Sequence, residues 1–599
     1  MKQQIEECQR SGARTGALRC LEWVANRMPN LKKGMRRPTG DEKGMVVMLV
    51  LILIITLSLL AAAANRNVVT DVAIASNHLG SVQAFYAADA ASQYGYNQLW
   101  QQLQLINPNT ASITPPALAG YTISYSGASF VQAIGNRVQR PATGTYAGLS
   151  AFVQRWRIAP TATENKTGAM GMVTIDVEDQ LIPIFQFGVF YNHDLEMLPG
   201  ANMTFTAGAN GIGRIHTNSN VYMAESGSSV SLTVNAPITS AENLYAYRKD
   251  GGSTNHNVYI SNGQGSTPLL NIDSTSANWT TQSQTTWLGQ VKTVDHGITA
   301  LNVPMPTSTG QPIDLVGTGT GSLYQSAGLR IVDGVARNKS GAALDLRYYD
   351  ATYKDTHGNL IIDPGGDATH NVNPLTTGTL YDYRQGGVQN TYDLDLTKLQ
   401  NSPAAMAALN NPPASCDPGI LYVSSTSSTG SKAVRLENGG SIPATGLTIA
   451  TNNPVYVEGN YNTANNPSAI AADAVTVLSS NWRDTYNSGT SISSRTAAAT
   501  TVNAAFMVGN KDTAGSQYSG GLENLVRFLE NWSGVNFTYR GSLVCLWQSA
   551  QANSNWPGTG TVYNPPNRVW SYGIDVNHLP PGTPRVRYVM KLGWRVVTN

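Results

Sequence analysis

The densest group of oxygen-bearing side chains in the sequence contains Asp355, Asn359 and Asp363. Ca²⁺ takes six to eight oxygen ligands, which Asp and Asn commonly supply around a glycine turn, and Gly358 directly precedes Asn359. The spacing is not that of an EF-hand loop, and a hairpin turn accounts for Gly358 without a metal. The sequence therefore leaves two interpretations of this segment, a calcium site at these three residues or a turn without any cofactor.

Two of the four cysteines, Cys416 and Cys545, lie in the last third of the chain. In an oxidising compartment they could form a disulfide. It would close a loop of about 130 residues and contribute on the order of 4–5 kcal/mol in the chain-entropy account. The alternative is two separate buried thiols, because Cys545 lies in the apolar stretch SLVCLW.

Other patterns that carry catalysis are weak in this sequence. The glycine-rich stretch at 317–322 is not followed by the Lys-Ser/Thr of a phosphate-binding loop. His193, Asp194 and His216 lie near neighbouring predicted strands, but a zinc site needs three or four ligands on a defined spacing. G-x-S-x-G, H-E-x-x-H and C-x-x-C do not occur. We therefore predict that the protein is not an enzyme, and the sequence nominates no catalytic residue.

Composition favours an exported protein with several domains. The chain has 599 residues and a net charge of +2, which gives no electrostatic argument for a nucleic-acid partner. Charged residues make up 13% of the chain, compared with roughly 25% in ordinary soluble proteins. Gly, Ser, Thr and Asn take their place, as is typical of short strands joined by many turns.

An uncharged run at 45–64 is the strongest signal in the chain. Its length is sufficient for a helix to cross a bilayer. The leader at 1–44 carries Lys and Arg, which predicts a cytoplasmic N-terminus and an inner-membrane, single-pass topology. The run is too long for an ordinary secretory signal cleaved after Ala64, but a plain membrane anchor remains an alternative. Met35 is an alternative start, which would shorten the leader.

The helix is predicted to continue through 65–106, beyond the membrane. Apolar residues recur at intervals of three and four, which is typical of an amphipathic helix. They are Val68, Val72, Ala75, Leu79, Val82 and Tyr86.

Two sequence elements resemble known ones. The join of Lys43, Gly44 and Met45, placed between a basic leader and an apolar helix, resembles a type IV prepilin signal. The stretch FYAADAA at 85–91 resembles the FYAAEA element of PilX-type pilin-like proteins. The resemblance implies that prepilin peptidase cleaves between Gly44 and Met45. It also implies that the helix packs against other pilin-like subunits in a filament.

The resemblance assigns roles to further residues of the helix. Small residues such as Ala61 and Ala64 would permit close helix approach, and Phe85 and Tyr86 belong to the PilX-type element. Bulk pilins carry Glu at the fifth mature position, where this chain has Leu49. The resemblance then implies a minor subunit near the filament tip, although a leucine here equally fits an anchor that is not a pilin.

The exported part is predicted to be rich in β-structure. Alternating residues at 121–126, 152–158 and 172–177 predict a small pilin-like sheet within 107–185, packed on the helix. From 186 to 599 the sequence predicts a large β-rich region, either a solenoid or an elongated sandwich, without a fixed repeat. The fold class is therefore α+β. The strand-like pieces of this region lie at 189–192, 203–206, 213–217, 221–223, 447–450, 455–458, 470–472 and 475–478.

Two helices and one surface are predicted inside the β-rich region. Ser402 and Pro403 predict a helix over 403–409, and apolar spacing predicts another over 522–532. Four aromatic residues near the C-terminus are candidates for an exposed binding face. They are Trp570, Tyr572, Tyr588 and Trp594.

Together these observations predict a non-enzymatic minor pilin or pseudopilin-like subunit. Its partners would be the membrane, prepilin peptidase, other pilin-like subunits and an unidentified surface ligand. Its β-rich region would be periplasmic or displayed on the cell surface within a filament, where it serves adhesion. The alternatives are a membrane-anchored exported enzyme acting on polysaccharide and a single-span adhesin outside any filament.

Overall fold

A computed structural model gives the fold of most of the chain. The described residues are 42–105, 108–209, 212–252, 254, 256–301, 303, 314–349, 371–410, 418–426, 432–519, 521–556 and 560–597. The chain divides after Val82 into two units. Helix α1, Glu42–Leu103, begins in the first unit and ends in the second.

The first unit contains the apolar part of α1. Every side chain described from residue 44 to residue 79 is exposed, and α1 is long and apolar enough to cross a membrane by length and composition. Leu, Met and Ala are strong helix formers, and no proline occurs in α1. The predicted helix is thus confirmed.

The second unit begins with the C-terminal part of α1 and an antiparallel sheet. Strands β3 and β4 face β5 in one uninterrupted register on the same edge, so they act as one strand broken at Ala159. Strand β2 pairs with β3, and β1 pairs with β4. The strands are β1 Tyr121–Tyr125, β2 Val131–Pro141, β3 Ser150–Ile158, β4 Pro160–Glu164 and β5 Met170–Pro183.

A parallel β-solenoid follows β5. Its first coils have three sides, because β6, β9, β12 and β15 stack on one side, β7, β10 and β13 on a second, and β8, β11 and β14 on a third. The strands are β6 Phe187–Tyr191, β7 Leu195–Met197, β8 Met203–Thr206, β9 Arg214–Thr217, β10 Val221–Met223, β11 Leu232–Asn235, β12 Ile238–Ser240, β13 Leu244–Tyr245, β14 Val258–Ile260 and β15 Val291–Lys292.

Later strands build the second half of the solenoid. The even-numbered strands from β22 to β30 form one parallel stack with β16, and the odd-numbered strands from β21 to β29 form another, with β20 at its edge. The strands are β16 Leu329–Val332, β17 Val335–Asn338, β18 Tyr348–Tyr349, β19 Asn371–Val372, β20 Leu375–Asp382, β21 Gly387–Asp395, β22 Ile420–Ser424, β23 Lys432–Glu437, β24 Leu447–Ala450, β25 Val455–Glu458, β26 Ser468–Ala472, β27 Val475–Leu478, β28 Thr500–Val508, β29 Val526–Phe528, β30 Asn536–Cys545 and β31 Asn567–Tyr572.

The two halves of the solenoid meet at β30. The end of β30 pairs in parallel with β6, so that Leu543 faces Val189, and its beginning pairs with β31, which in turn pairs with β8. Of the two predicted forms, the structure is therefore the solenoid. In-register residues such as Leu195, Val221 and Leu244 stack in its apolar core.

The last strand returns to the antiparallel sheet. Strand β32, Arg585–Val596, pairs with β5 along almost its whole length. The sheet predicted within 107–185 is thus completed by residues from the end of the chain, and the solenoid is an insertion between β5 and β32.

Short helices and turns occupy the corners. Helix α5, Pro403–Asn410, confirms the helix predicted over 403–409. The Ser402 Oγ caps it by accepting a hydrogen bond from the Ala405 N–H at 3.3 Å. The helices are α2 Trp279–Thr286, α3 Leu323–Ser326, α4 Leu396–Asn401 and α5 Pro403–Asn410. The 3₁₀ turns are Thr110–Ser112, Gly144–Tyr146, Ile184–Gln186, Val294–His296, Ile492–Ser494 and Leu522–Asn524.

The helix predicted over 522–532 is wrong. This segment forms the turn Leu522–Asn524 and then β29, which pairs in parallel with β27. The apolar residues that suggested a helix face are all buried in the solenoid core. An isolated helix of this length is marginal, whereas the free edge of β27 supplies backbone partners for the whole of β29.

The end of α1 lies close against β5 and β3. Ala84, Ala87, Ala88 and Ala91 are buried on this side of the helix. A Cβ atom on Gly171 of β5 would lie 2.5 Å from the Phe85 Cα atom, far inside van der Waals contact. The absence of a side chain at this point therefore permits the close helix–sheet approach.

We predict that Gly171→Ala destabilises the protein by about 3 kcal/mol, near the upper end for an overpacked site, because the atoms in the way are backbone and cannot move aside. Gly593→Ala in β32 is the matched control, since a Cβ there meets nothing within 4 Å. Denaturant unfolding followed by tryptophan fluorescence measures both. Equal stability of the two variants would contradict this account of the helix–sheet contact.

Candidate functional site on the N-terminal helix

The apolar first part of α1, residues 45–64, presents apolar side chains on all sides. Met45 and Leu49 are 64% and 61% exposed, and Ala61 and Ala64 are also exposed. A helix that is apolar all round requires lipid or other helices as its surroundings. Burying the large aliphatic side chains between Met45 and Leu60 is worth roughly 20 kcal/mol or more, at about 1.5–3 kcal/mol for each one.

The residue before Met45 is accessible in the structure. A Cβ on Gly44 would meet no atom within 4 Å. The predicted cleavage between Gly44 and Met45 is not tested by this geometry and stays a prediction.

The PilX-type element has two faces. Its alanines Ala87, Ala88 and Ala91 are buried against the sheet, while Ala90 is exposed and Tyr86 is 64% exposed on the outside of the helix. Phe85 is half-buried, and its ring contacts Trp594 of β32 in an edge-to-face arrangement at 6.1 Å between centroids. Most of the small residues in this element therefore pack on the subunit's own sheet, and Ala90 and Tyr86 remain exposed.

Strand β32 also holds the helix through polar side chains. The Trp594 Nε1–H donates to Asp89 Oδ1 at 2.8 Å, and Lys591 Nζ donates to Gln93 Oε1 at 3.2 Å. The buried guanidinium of Arg587 donates to the Leu103 and Leu105 carbonyl oxygens at 2.5 and 2.9 Å. Arg587 thus supplies a partner to the last carbonyl of the helix, which lacks one within the helix, and to a carbonyl in the turn that follows.

Two carboxylates on β5 fix this strand to its neighbours. Asp179 is fully buried and lies 2.6 Å from Arg137 of β2 and 3.0 Å from Arg587 of β32. Glu178, also buried, is paired with Arg140 and Arg155. Loss of any one arginine would leave a buried carboxylate with one partner fewer, which is costly.

The four aromatic residues that were candidates for a binding face all contact other parts of the second unit. Trp570 is buried in the solenoid core, and the Tyr572 hydroxyl donates to the Phe185 carbonyl oxygen at 3.1 Å. The Tyr588 ring lies 5.2 Å from the ring of Tyr146. Trp570 therefore belongs to the solenoid core, Tyr572 ties the solenoid to the turn at Phe185, and Tyr588 packs on the loop that joins β2 to β3. The prediction of an exposed face is wrong for these three residues. Trp594 is 44% exposed and contacts the helix.

The structure does not test the predicted calcium site or the predicted disulfide. Asp355, Asn359, Asp363 and Cys416 lie outside the described residues. Cys545 is buried and has a free thiol. Among the described residues, no group of three or more His, Cys, Asp or Glu side chains is arranged to hold a metal ion. Calcium and the disulfide therefore stay predictions.

Cys545, at the end of β30, belongs to a chain of polar contacts with residues that follow the neighbouring strands β6 and β28. Its Sγ lies 3.2 Å from His193 Nε2, and His193 Nδ1 lies 2.8 Å from Asp512 Oδ1. Burial by itself lowers the pKa of His193, but Cys545 and Asp512 outweigh this and raise it to about 10. The thiol has no exposed surface, so a substrate does not reach it in this conformation.

His216, the other histidine considered for zinc, is sealed in the junction with the antiparallel sheet. Its ring nitrogens lie 2.9 Å from Thr239 Oγ1 and 3.1 Å from Asn218 Oδ1. Burial lowers its pKa to about 4. The imidazole is thus neutral and fully partnered, which indicates a structural residue.

Comparisons with known proteins concern mainly the helix. Residues 43–93 match the family model described as PilX N-terminal. The N-terminal segment is thus type IV pilin-like, which confirms the PilX-type resemblance. None of the curated proteins compared with the chain matches it. Among the solved structures that match is the competence-associated pilin ComZ from Thermus thermophilus, with 11% identity and a TM-score of 0.24 over 86% of this chain and 97% of that one. A TM-score this low does not establish a shared fold.

Buried glutamates make the stability of the solenoid depend on pH. Burial raises the pKa of Glu523 and Glu530 from 4.5 to about 7. The folded chain therefore binds protons that the unfolded chain releases above pH 4.5, and the free energy of unfolding falls as the pH rises from about 5 to 8. We predict that Glu530→Gln flattens this slope, which denaturant titrations at several pH values measure. A stability that rises over this range would contradict the assignment.

Proposed function

We propose that the protein is a non-enzymatic minor subunit of a type IV filament, anchored in the inner membrane before assembly. The observation that carries the proposal is the uniformly apolar and exposed first part of α1, which lies in the segment that matches the PilX N-terminal model. Such a helix is stable in a bilayer before assembly and among like helices afterwards.

Assembly in this proposal moves the helix from lipid into a bundle of pilin-like helices. Lipid tails are as apolar as leucine, so the transfer is driven by close packing rather than by the hydrophobic effect. Ala61 and Ala64 would let neighbouring helices approach, and exposed Tyr86 would contact an adjacent subunit. Prepilin peptidase would first remove the leader between Gly44 and Met45.

The location proposed within the filament is its tip. Leu49 occupies the position at which bulk pilins use Glu, and it offers no charge to a neighbouring N-terminus. A subunit with no neighbour above it does not need that charge. The solenoid, inserted between β5 and β32 at the far end of the sheet, would then project outward for adhesion or interaction.

The second candidate is a single-span adhesin that never enters a filament. The same exposed helix favours it, because a plain anchor would have the same apolar surface. Processing at Gly44 and location on filaments separate the two proposals.

We predict that the mature chain begins at Met45 and that Gly44→Leu blocks processing, because the peptidase must accept the residue before the cleaved bond. Mass spectrometry of the N-terminus gives the result. Gly80→Leu is the control, because it makes the same exchange within the mature helix and leaves the cleaved bond intact.

Antibody labelling of the solenoid on sheared filaments tests the location. Gold particles at filament ends, lost in the Gly44→Leu variant, support a tip subunit. An unprocessed wild-type chain, or labelling confined to the cell membrane, would favour the plain anchored adhesin instead.

A further inference from the structure

An open cleft lies between the solenoid and the loop that joins β2 to β3. Its volume is about 560 Å³. One wall is the loop at Gly144, Thr145 and Ala147, and the floor is the outer surface of the first solenoid coils. The floor residues come from the corners between the third side of one coil and the first side of the next, and from the first-side strands that follow those corners. They include Arg214, Asn235, Thr239, Ser261, Gln290 and Lys292.

The parallel register sets these floor residues in rows. Thr239 of β12 pairs with Lys292 of β15, and the preceding residues, Ile238 and Val291, pair in the core. The Thr239 hydroxyl is buried against His216, so Lys292 is the residue of this row that reaches the cleft. Neighbouring strands are about 4.8 Å apart, so Asn235 and Ser261, which lie at the same corner of successive coils, place polar side chains at about that interval along the solenoid. A ligand that fits such rows is an extended chain with a polar group at each step.

The electrostatic character of the cleft is positive. Arg214 and Lys292 line it, and none of the described lining residues is acidic. Arg214 is fixed in place, since its guanidinium donates to the Ala147 carbonyl oxygen at 2.8 Å and so ties the loop to the floor. Lys292 is only half-buried, so its ammonium can turn toward a bound anion.

The remaining lining residues exclude an apolar ligand. They are glycines, alanines, a proline and side chains with hydroxyl or amide groups, without an aromatic or large aliphatic residue. Peptide anchors and lipid tails need apolar pockets, which this cleft lacks. Hydroxyl and amide groups instead match the hydroxyls of sugars, and the two cations match carboxylates.

We propose that this cleft binds an acidic polysaccharide, a sugar chain that carries carboxylates. The proposal deepens the function proposed above, because it names the ligand of the outward region and rests on that region being outside the cell. Lys292 would pair with a sugar carboxylate, while Gln290 and Ser261 would hydrogen-bond to the neighbouring hydroxyls.

Binding of polygalacturonate to the full chain, purified in a nonionic detergent, tests the proposal. Isothermal titration calorimetry should detect binding that Lys292→Glu weakens at least about tenfold, because a charge pair is replaced by a repulsion. Raising NaCl from about 50 to 500 mM should weaken it several-fold, because exposed charges are screened. Gln290→Ala, which removes only an amide, should weaken it about threefold.

Lys166→Glu is the matched control. Lys166 is exposed in the turn between β4 and β5, at the opposite end of β5 from the cleft, and this change should leave binding within about twofold. Thermal unfolding of each variant shows whether its fold is intact.

Each remaining outcome overturns the proposal. These outcomes are no binding of polygalacturonate, equal binding of neutral dextran, equal loss in the Lys292 and Lys166 variants, and tighter binding of poly-L-glutamate, which would indicate an acidic polypeptide ligand. The measurement uses the unassembled chain, so failure of filament assembly does not affect its result, and failure of binding leaves the assembly proposal standing.

Discussion

The antiparallel pairing of β5 with β32 is the constraint on which the second unit depends. It brings together residues 173–183 and 585–596, which flank the entire solenoid. Side chains of β32 reach across the sheet to the helix, through Trp594 to Asp89 and through Arg587 to the helix C-terminus. The same pairing therefore closes the sheet, holds the C-terminal end of α1 and fixes both ends of the insertion.

The arrangement of the solenoid follows from this closure. Because the chain leaves the sheet at Pro183 and returns at Arg585, the first and last coils must lie near each other. The structure satisfies this requirement by stacking β30 on β6, and the buried Ser542 Oγ donates to the Phe187 carbonyl oxygen at 2.6 Å. Such contacts join residues several hundred positions apart, so loop-closure entropy opposes their formation and slow folding is expected. The pairing also covers the edge of β6 in the first coil, and an exposed strand edge is a site of aggregation.

The sequence correctly predicted the helices and strands that depend on local patterns of residues. The long helix, and strands such as Met203–Thr206, Val221–Met223, Leu447–Ala450 and Val475–Leu478, depend on neighbouring residues, and the structure has them where they were predicted. The return of β32 could not be predicted, because nothing near Arg585 indicates a partner at Pro183. The repeat was hidden because insertions of unequal length separate the stacked strands. The false helix at 522–532 arose because a chain that turns corners in a solenoid buries residues at helix-like intervals. The polar cleft was also missed, since its rows form only when separate coils stack.

Amide hydrogen exchange along β32 tests the central claim most directly. If β32 pairs with β5 as described, the amides of Val586 and Tyr588 exchange as slowly as those in the middle of β3, and removal of residues 585–599 accelerates exchange in β5 and in the helix around Asp89. Fast exchange of β32 in the intact chain, or unchanged protection of β5 and the helix after its removal, would contradict the claim that the C-terminal strand closes the sheet.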